Sequence, residues 1–111
     1  MNKLVVDSSA WIEYFKGGTK GDAVKRYIDT HVLFTSGLCI GEITAIFLRK
    51  DMPLDVALSF LRIRSSIISI DFSTAEHAGK LYYNLRKKNE KISLSDAISL
   101  AIAQKIGAKV L

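Results

Sequence analysis

The 111-residue sequence contains one cysteine, one proline and no long apolar run, and these absences exclude several classes of protein. The single cysteine, Cys39, has no partner for an internal disulfide, so a disulfide-stapled domain is excluded. No segment approaches the roughly 18 apolar residues that a membrane-spanning helix requires. The first apolar run is interrupted at Asp7, too early for a secretory signal. We therefore expect a cytoplasmic protein that does not enter a membrane.

The composition is that of one small globular domain. Hydrophobic residues make up 49% of the chain, which is enough for a core at this length, and charged residues make up 24%. The net charge of +5 favours polyanionic partners such as nucleic acid, although the same charge also serves solubility.

Short apolar runs alternate along the sequence with segments of helical periodicity. The predicted strands are 3–7, 32–34, 67–71 and 109–111. The predicted helices begin near residues 8, 22, 39, 53, 73 and 93. This alternation predicts an α/β fold with a parallel sheet in a single domain, 1–111. Because a buried strand rarely ends a chain after three residues, we expect the natural domain to continue past Leu111.

Two helix starts carry the pattern of a capping box, in which a serine and an acid three residues later bond each other's backbone. Ser73 and Glu76 fit it, as do Ser93 and Asp96. Gly107 is suited to end the last helix, since glycine adopts the left-handed conformation that closes many helices.

Three acids stand where strands end or where the following helices begin. Asp7 ends the first strand, Glu42 lies in the first turns of the helix after the second, and Asp96 lies in the first turn of the last helix. In an open parallel sheet these positions share one edge, which is the edge where such folds bind ligands. We therefore expect the three carboxylates to meet there.

Clustered carboxylates repel one another, and a divalent cation removes that conflict. Oxygen ligands favour Mg²⁺ or Mn²⁺, which can activate water for attack on a phosphodiester. Structural explanations remain open for each acid: Asp7 could cap the following helix, Asp96 could serve only its capping box, and Glu42 could be solvated. The apolar neighbours of Glu42 and Asp96 favour the metal site.

The segments around these acids resemble the motifs of PIN-domain VapC toxins. Residues 5–15 (VVDSSAWIEYF) resemble the opening motif of that family, and residues 35–43 (TSGLCIGEI) resemble its glutamate-bearing motif. Residues 94–103 (LSDAISLAIA) are similar to its third motif, and residues 107–111 (GAKVL) are similar to the strand before its fourth. The resemblance covers the whole chain in the same order.

The resemblance implies a PIN-like fold, with a central parallel sheet flanked by helices on both faces, and a metal-dependent endoribonuclease. It assigns Asp7, Glu42 and Asp96 as catalytic and metal-binding residues, with Mg²⁺ or Mn²⁺ as cofactor and RNA as substrate. It also implies a cognate antitoxin as partner, and a homodimer. The family's fourth acidic motif would follow Leu111, so the chain resembles a C-terminally truncated member.

A serine and four basic residues are further candidates for a role at the site. Ser8 is expected to cap the first helix and to lie beside Asp7, where it would support that carboxylate. Four cations near the end of the fifth predicted helix are expected either to complete the helix dipole or to contact RNA phosphates. They are Arg86, Lys87, Lys88 and Lys91.

Two alternatives to a ribonuclease remain open at this point. The chain could be an impaired PIN-like module that binds an antitoxin or RNA without cleaving. It could also be a phospho-acceptor domain in which Asp71, another predicted strand end, takes up a phosphoryl group.

Overall fold

The structure, a computed structural model, describes residues 2–111, and within them four strands alternate with six helices. The strands are β1 (Lys3–Val5), β2 (Val32–Ser36), β3 (Ser65–Ile68) and β4 (Lys109–Val110). The helices are α1 (Ser8–Lys16), α2 (Gly18–Thr30), α3 (Gly37–Arg49), α4 (Leu54–Arg64), α5 (Phe72–Lys87) and α6 (Leu94–Ile106). None of the helices described is long and apolar enough to cross a bilayer.

The four strands form one parallel sheet in the order β3-β2-β1-β4. From β1 the chain moves outward to β2 and β3, and it then returns to place β4 on the other side of β1. The direction of winding therefore reverses beside β1. Such a switch point opens a crevice at the carboxyl ends of the strands, where doubly wound folds bind their ligands.

Helices cover both faces of the sheet, as the family resemblance implied. The side chains of β1 alternate between two cores, because successive residues of a strand point to opposite faces. Leu4 and Val6 join the core beneath α1 to α4, whereas Val5 joins the core beneath α5 and α6. β1 is thus covered by helices on both faces, and Asp7, two residues past its end, is contacted from both helical layers.

The larger core is built around Trp11, which is fully buried. Its ring stacks on Phe15 and meets Phe60 edge to face, with ring centroids 5.8 and 6.0 Å away. The indole Nε1 donates to Thr35 Oγ1 at 2.9 Å, and that hydroxyl lies 2.7 Å from Ser65 Oγ. Trp11 and its aromatic neighbours therefore belong to the core of the larger helical layer.

Several predicted boundaries differ from the structure. The second helix begins at Gly18 rather than near residue 22. The third strand covers Ser65–Ile68 rather than 67–71, and it follows α4 without a loop. The Ser73–Glu76 capping box does not form, because Asp71 is the N-cap of α5 and its side chain accepts a hydrogen bond from Thr74 N. The cap of α5 therefore lies two residues earlier than predicted.

The end of α6 follows the prediction. Gly107 adopts a left-handed conformation (φ 71°, ψ 41°), and its N–H donates to the carbonyl of Ala103. This turn sends the chain back along the sheet, so that Val110 lies beside Val5. The reversal at Gly107 therefore completes the wall of the crevice next to β1.

Candidate metal centre

The three predicted acids come from the carboxyl edge of the sheet. Asp7 follows β1 and is the N-cap of α1, and Asp96 lies in the first turn of α6. Glu42 lies in the second turn of α3, which begins directly after β2. The shared edge follows from the parallel sheet, since each of these helices begins where the chain leaves the carboxyl side.

Asp7 has the backbone of a helix cap but not its side-chain bond. Its φ and ψ are −79° and 165°, yet its carboxylate caps no N–H of α1. The carboxylate is buried, with 8% of the residue exposed. Its Oδ1 accepts from Ser99 Oγ at 2.9 Å and from Cys39 Sγ at 3.4 Å. The alternative that Asp7 merely caps α1 is therefore wrong.

Asp96 does form its capping box and also faces Asp7. Its backbone N–H donates to Ser93 Oγ, and its Oδ2 accepts from Ser93 N, both at 3.0 Å. The carboxyl groups of Asp96 and Asp7 lie within hydrogen-bonding reach of each other. One residue thus stabilises the start of α6 and supplies the second carboxylate of the crevice.

Glu42 lies on the rim beside this pair. It is half-buried, and its Oε1 accepts from Ser95 Oγ at 2.8 Å. Ser95 immediately precedes Asp96, so the hydrogen bond brings α3 to the first turn of α6. Within residues 2–111, however, no three His, Cys, Asp or Glu side chains are close enough to hold a metal ion together. The structure pairs Asp7 with Asp96 and leaves Glu42 beside them.

The carboxyl pair titrates unequally. Burial raises the pKa of Asp7, and the hydrogen bond to Asp96 and that residue's charge raise it further, against the lowering effect of the bonds from Ser99 and Cys39. For Asp96, partial burial raises the pKa, but the hydrogen bonds from Ser93 and with Asp7 outweigh it, so its pKa is lowered. A proton shared by the pair therefore resides on Asp7, the more buried partner.

The donors of the crevice suit a hard divalent cation. A cation would relieve the repulsion that raises the Asp7 pKa, and Mg²⁺ is commonly held by one or two carboxylates with water in its other positions. Burial raises the pKa of the nearby Cys39 thiol to about 11. Cys39 is therefore a neutral thiol near pH 7.

The structure places Ser8 differently from the prediction. Ser8 is the first residue of α1 rather than its cap. Among the described residues, the side-chain hydrogen bonds to Asp7 come from Ser99 and Cys39 and not from Ser8. The role that was expected for Ser8 is thus filled by two other residues.

The basic residues form an exposed group at the end of α5 and in the turn before α6. Arg86 lies over the Tyr82 ring and Lys87 over the Tyr83 ring, with 5.7 and 5.6 Å to the ring centroids. Lys88 and Lys91 follow in the turn that leads to the first turn of α6. Along the chain they border the helix start that carries the acidic rim.

Asp71 lies elsewhere. Its carboxylate is 3.4 Å from Lys105 Nζ, near the end of α6. Lys105 is nine residues beyond Asp96 along that helix, or about 13 Å at 1.5 Å per residue. Asp71 therefore lies away from the acidic edge, which removes the basis of the phospho-acceptor alternative.

Sequence reasoning missed Ser95, Ser99 and the contact from Cys39. Ser95 and Ser99 are four residues apart, so they lie on one face of α6 together with Asp96. Both serines interrupt an otherwise apolar stretch of the helix. The available signal in the sequence was that these two serines share one face of an otherwise apolar helix with Asp96.

The fold and the paired carboxylates together define a small α/β protein with an acidic ligand crevice at the switch point of its sheet. The family to which it belongs is shown by sequence: the PIN domain family matches residues 4–111, and the chain is a member of it. Among curated proteins no match is found.

Solved structures agree with this fold. The chain is similar to VapC20 of Mycobacterium tuberculosis, described as a sarcin–ricin loop cleaving toxin, with a TM-score of 0.76 and 23% identity over 95% of this chain and 84% of that one. A toxin–antitoxin complex from Klebsiella pneumoniae gives 0.73 and 20% over 96% and 82%. VapBC2 of Rickettsia felis, bound to a DNA fragment from its promoter, gives 0.68 and 15% over 97% and 84%. The chain therefore has the PIN fold of VapC toxins.

Proposed function

We propose that this protein is a metal-dependent endoribonuclease and the toxin component of a type II toxin–antitoxin pair. The observation that carries the proposal is Asp7, a buried carboxylate at the switch point that caps no helix and lies against the carboxyl group of Asp96. A buried acid of raised pKa beside a second acid is typical of a functional site rather than a structural one.

In the proposed mechanism, Asp7 and Asp96 hold Mg²⁺ or Mn²⁺. Such a cation, when bound, lowers the pKa of water and stabilises negative charge on a phosphodiester. Glu42 stands outside the pair with one oxygen engaged by Ser95. Its second oxygen accepts no hydrogen bond from residues 2–111, and it would orient the attacking water and accept its proton.

RNA binding is assigned to the basic group at the end of α5. Arg86, Lys87, Lys88 and Lys91 are exposed and lead into the helix that carries Asp96. Cations in this position attract the phosphates of a strand and set its register without reading its bases. The net charge of +5 supports the same partner.

The proposed partners are a cognate antitoxin and a second copy of the chain, in the cytoplasm. The similar structures include toxin–antitoxin complexes. Several large apolar side chains on α3 and α4 are exposed, namely Leu48, Val56 and Ile63. Exposed apolar residues on neighbouring helices are what such interfaces cover.

The test is cleavage of an end-labelled, structured RNA with Mg²⁺, with Mn²⁺ and with a chelator, by the parent chain and by Asp7→Asn. We expect cleavage that requires the metal and is lost in Asp7→Asn, with the far-ultraviolet circular dichroism unchanged. Cleavage that survives the chelator or the substitution would contradict the proposal.

A second function is favoured by one observation, that no three candidate ligands within residues 2–111 lie together. A pair of carboxylates without a third could belong to a module that binds an antitoxin or RNA without cleaving it. If the parent chain binds RNA but cleaves it under none of these conditions, this second function is the correct one.

A further inference from the structure

We propose that Ser99 and Cys39 are positioning residues that turn Asp7 into a one-oxygen ligand and thereby favour small six-coordinate cations over Ca²⁺. This inference rests on the proposed metal site, and it concerns how that site selects its ion. It starts from the fact that two donors on two different helices meet the same carboxyl oxygen.

That oxygen is Asp7 Oδ1. Ser99 Oγ donates to it at 2.9 Å from α6, and Cys39 Sγ donates to it at 3.4 Å from α3. Both hydrogen bonds end on Oδ1 rather than on Oδ2. The helices belong to opposite faces of the sheet, since Ile43 of α3 and Ala97 of α6 lie in different cores. Helices on both faces of the sheet therefore hold the Asp7 carboxyl group through the same oxygen, Oδ1.

Both donors are themselves immobilised. Ser99 and Cys39 are fully buried. The Cys39 thiol has its direction fixed by Ser36, whose hydroxyl accepts from Cys39 N at 3.2 Å and donates to Cys39 Sγ at 3.3 Å. The sulfur then has its own proton to donate, and Asp7 Oδ1 receives it. Rotation of the Asp7 carboxyl group would leave two buried donors without an acceptor, which is costly.

A carboxylate whose Oδ1 is engaged by the protein presents only Oδ2 to a cation. One-oxygen ligation suits the octahedral geometry of Mg²⁺ and of ions of similar demand, such as Mn²⁺. Ca²⁺ takes six to eight oxygens and readily accepts both oxygens of one carboxylate. The two donors therefore act against Ca²⁺ by withholding the second oxygen of Asp7.

The experiment compares the parent chain with Ser99→Ala, Ser99→Cys and Ser65→Ala by titration calorimetry with Mn²⁺ and with Ca²⁺. Ser99→Cys keeps a donor of similar volume. Ser65→Ala is the matched control, because it also removes a buried hydroxyl bond, the one to Thr35, and it has no hydrogen bond to the acids. Thermal unfolding of each variant checks that it folds.

We expect Ser99→Ala to weaken Mn²⁺ binding by about tenfold, the usual effect of losing a residue that orients a ligand. Its preference for Mn²⁺ over Ca²⁺ should fall by a similar factor. Ser99→Cys should lie between the parent and Ser99→Ala, and Ser65→Ala should keep the parent's preference. A purely structural role would move the midpoint of unfolding, Tm, but not the ratio of the two affinities.

An unchanged ratio in a folded Ser99→Ala variant overturns the inference. If the parent chain takes up neither cation, the proposed metal site is wrong. The positioning claim is then decided separately, by crystals of Ser99→Ala. A carboxyl group of Asp7 that keeps its orientation there overturns the claim, and one that rotates supports it.

Discussion

Asp7 and Asp71 occupy the same backbone position in two regions of the molecule and do opposite things. Each is the N-cap of a helix, with φ and ψ of −79° and 165° for Asp7 and of −83° and 174° for Asp71. Asp71 caps α5 through Thr74 N, its side chain is 58% exposed, and it pairs with Lys105. The Asp7 side chain is buried, makes no capping bond to α1 and accepts bonds from Ser99 and Cys39.

The difference arises from what the rest of the chain brings to each position. Around Asp71 the bonds come from its own helix and from one surface cation, and they lower its pKa to about 2. Around Asp7 two remote helices supply both the donors and a second carboxylate, and burial raises its pKa. An aspartate between a strand and a helix can therefore be predicted from sequence as a helix cap. Whether it is also a candidate metal ligand depends on the residues that the tertiary fold places around it.

The largest expected effect is on RNA cleavage, which should depend on Asp7 and not on Asp71. Asp7→Asn should lower metal-dependent RNA cleavage by at least about 100-fold, because a ligand that supports several kcal/mol of charge stabilisation is lost. Its Tm should not fall, since the raised pKa marks the ionised form as unfavourable in the folded state.

Asp71→Ala is the matched variant. It should keep cleavage within about twofold and lower Tm by a few degrees, as loss of a helix cap does. Cleavage rates and thermal melts of the two variants would contradict the comparison if both lost activity alike.

The next effect concerns the burial of the Asp7 region. With the pKa of Cys39 raised to about 11, the thiolate at pH 7.5 is at least about 100-fold scarcer than for a free cysteine. Alkylation by iodoacetamide should slow by at least that factor in the folded chain and recover in denaturant. Rapid labelling of folded protein would mean that the crevice is open at Asp7.

A smaller effect is expected at the rim. Ser95→Ala removes the hydroxyl that orients Glu42, and we expect Mn²⁺ affinity or the cleavage rate to fall by about tenfold. Ser73→Ala provides a control, because Ser73 is an exposed serine near the start of α5 and takes no part in its cap. Equal behaviour of the two variants would remove Glu42 from the site.

The smallest effect is a difference in pH dependence. Because the pKa of Asp71 is lowered from 3.8 to about 2 in the folded state, its ionised form adds stability above pH 4, and this stability is lost as the pH falls from 3.8 toward 2. The pKa of Asp7 is raised, so its protonated form adds stability at low pH, and this stability is lost as the pH rises above 3.8.

Denaturant melts from pH 2 to 7 measure both slopes. Asp71→Asn should flatten the loss of stability below pH 4, and Asp7→Asn should flatten the loss above it. Slopes of the same sign for both residues would show that the two carboxyl groups share one environment.

Sequence patterns predicted the order of elements because each pattern is local. The capping box of Ser93 and Asp96 and the left-handed turn at Gly107 are set by a few adjacent residues, and both form as predicted. The third strand was misplaced because it is an edge strand. Ile67 and Ile68 do pair with β2, but the strand begins at Ser65 and Ser66, two polar residues that an apolar pattern does not mark.

The candidate site was predictable in its acids but not in their support. The positions of Asp7, Glu42 and Asp96 follow from the rule that strand ends and helix starts share an edge. The contacts from Ser99, Ser95 and Cys39 depend on how α3 and α6 approach that edge. That approach is decided by packing over the two faces, and no short stretch of sequence encodes it.

The bond between Ser99 and Asp7 joins residues 92 positions apart, which has a consequence for how the protein is made. A contact of such long range requires both residues to be available and carries a loop-closure entropy that a local contact does not. The crevice cannot assemble on a ribosome-bound chain until α6 has emerged. The complete acidic site can therefore form only after nearly all of these 111 residues have left the ribosome.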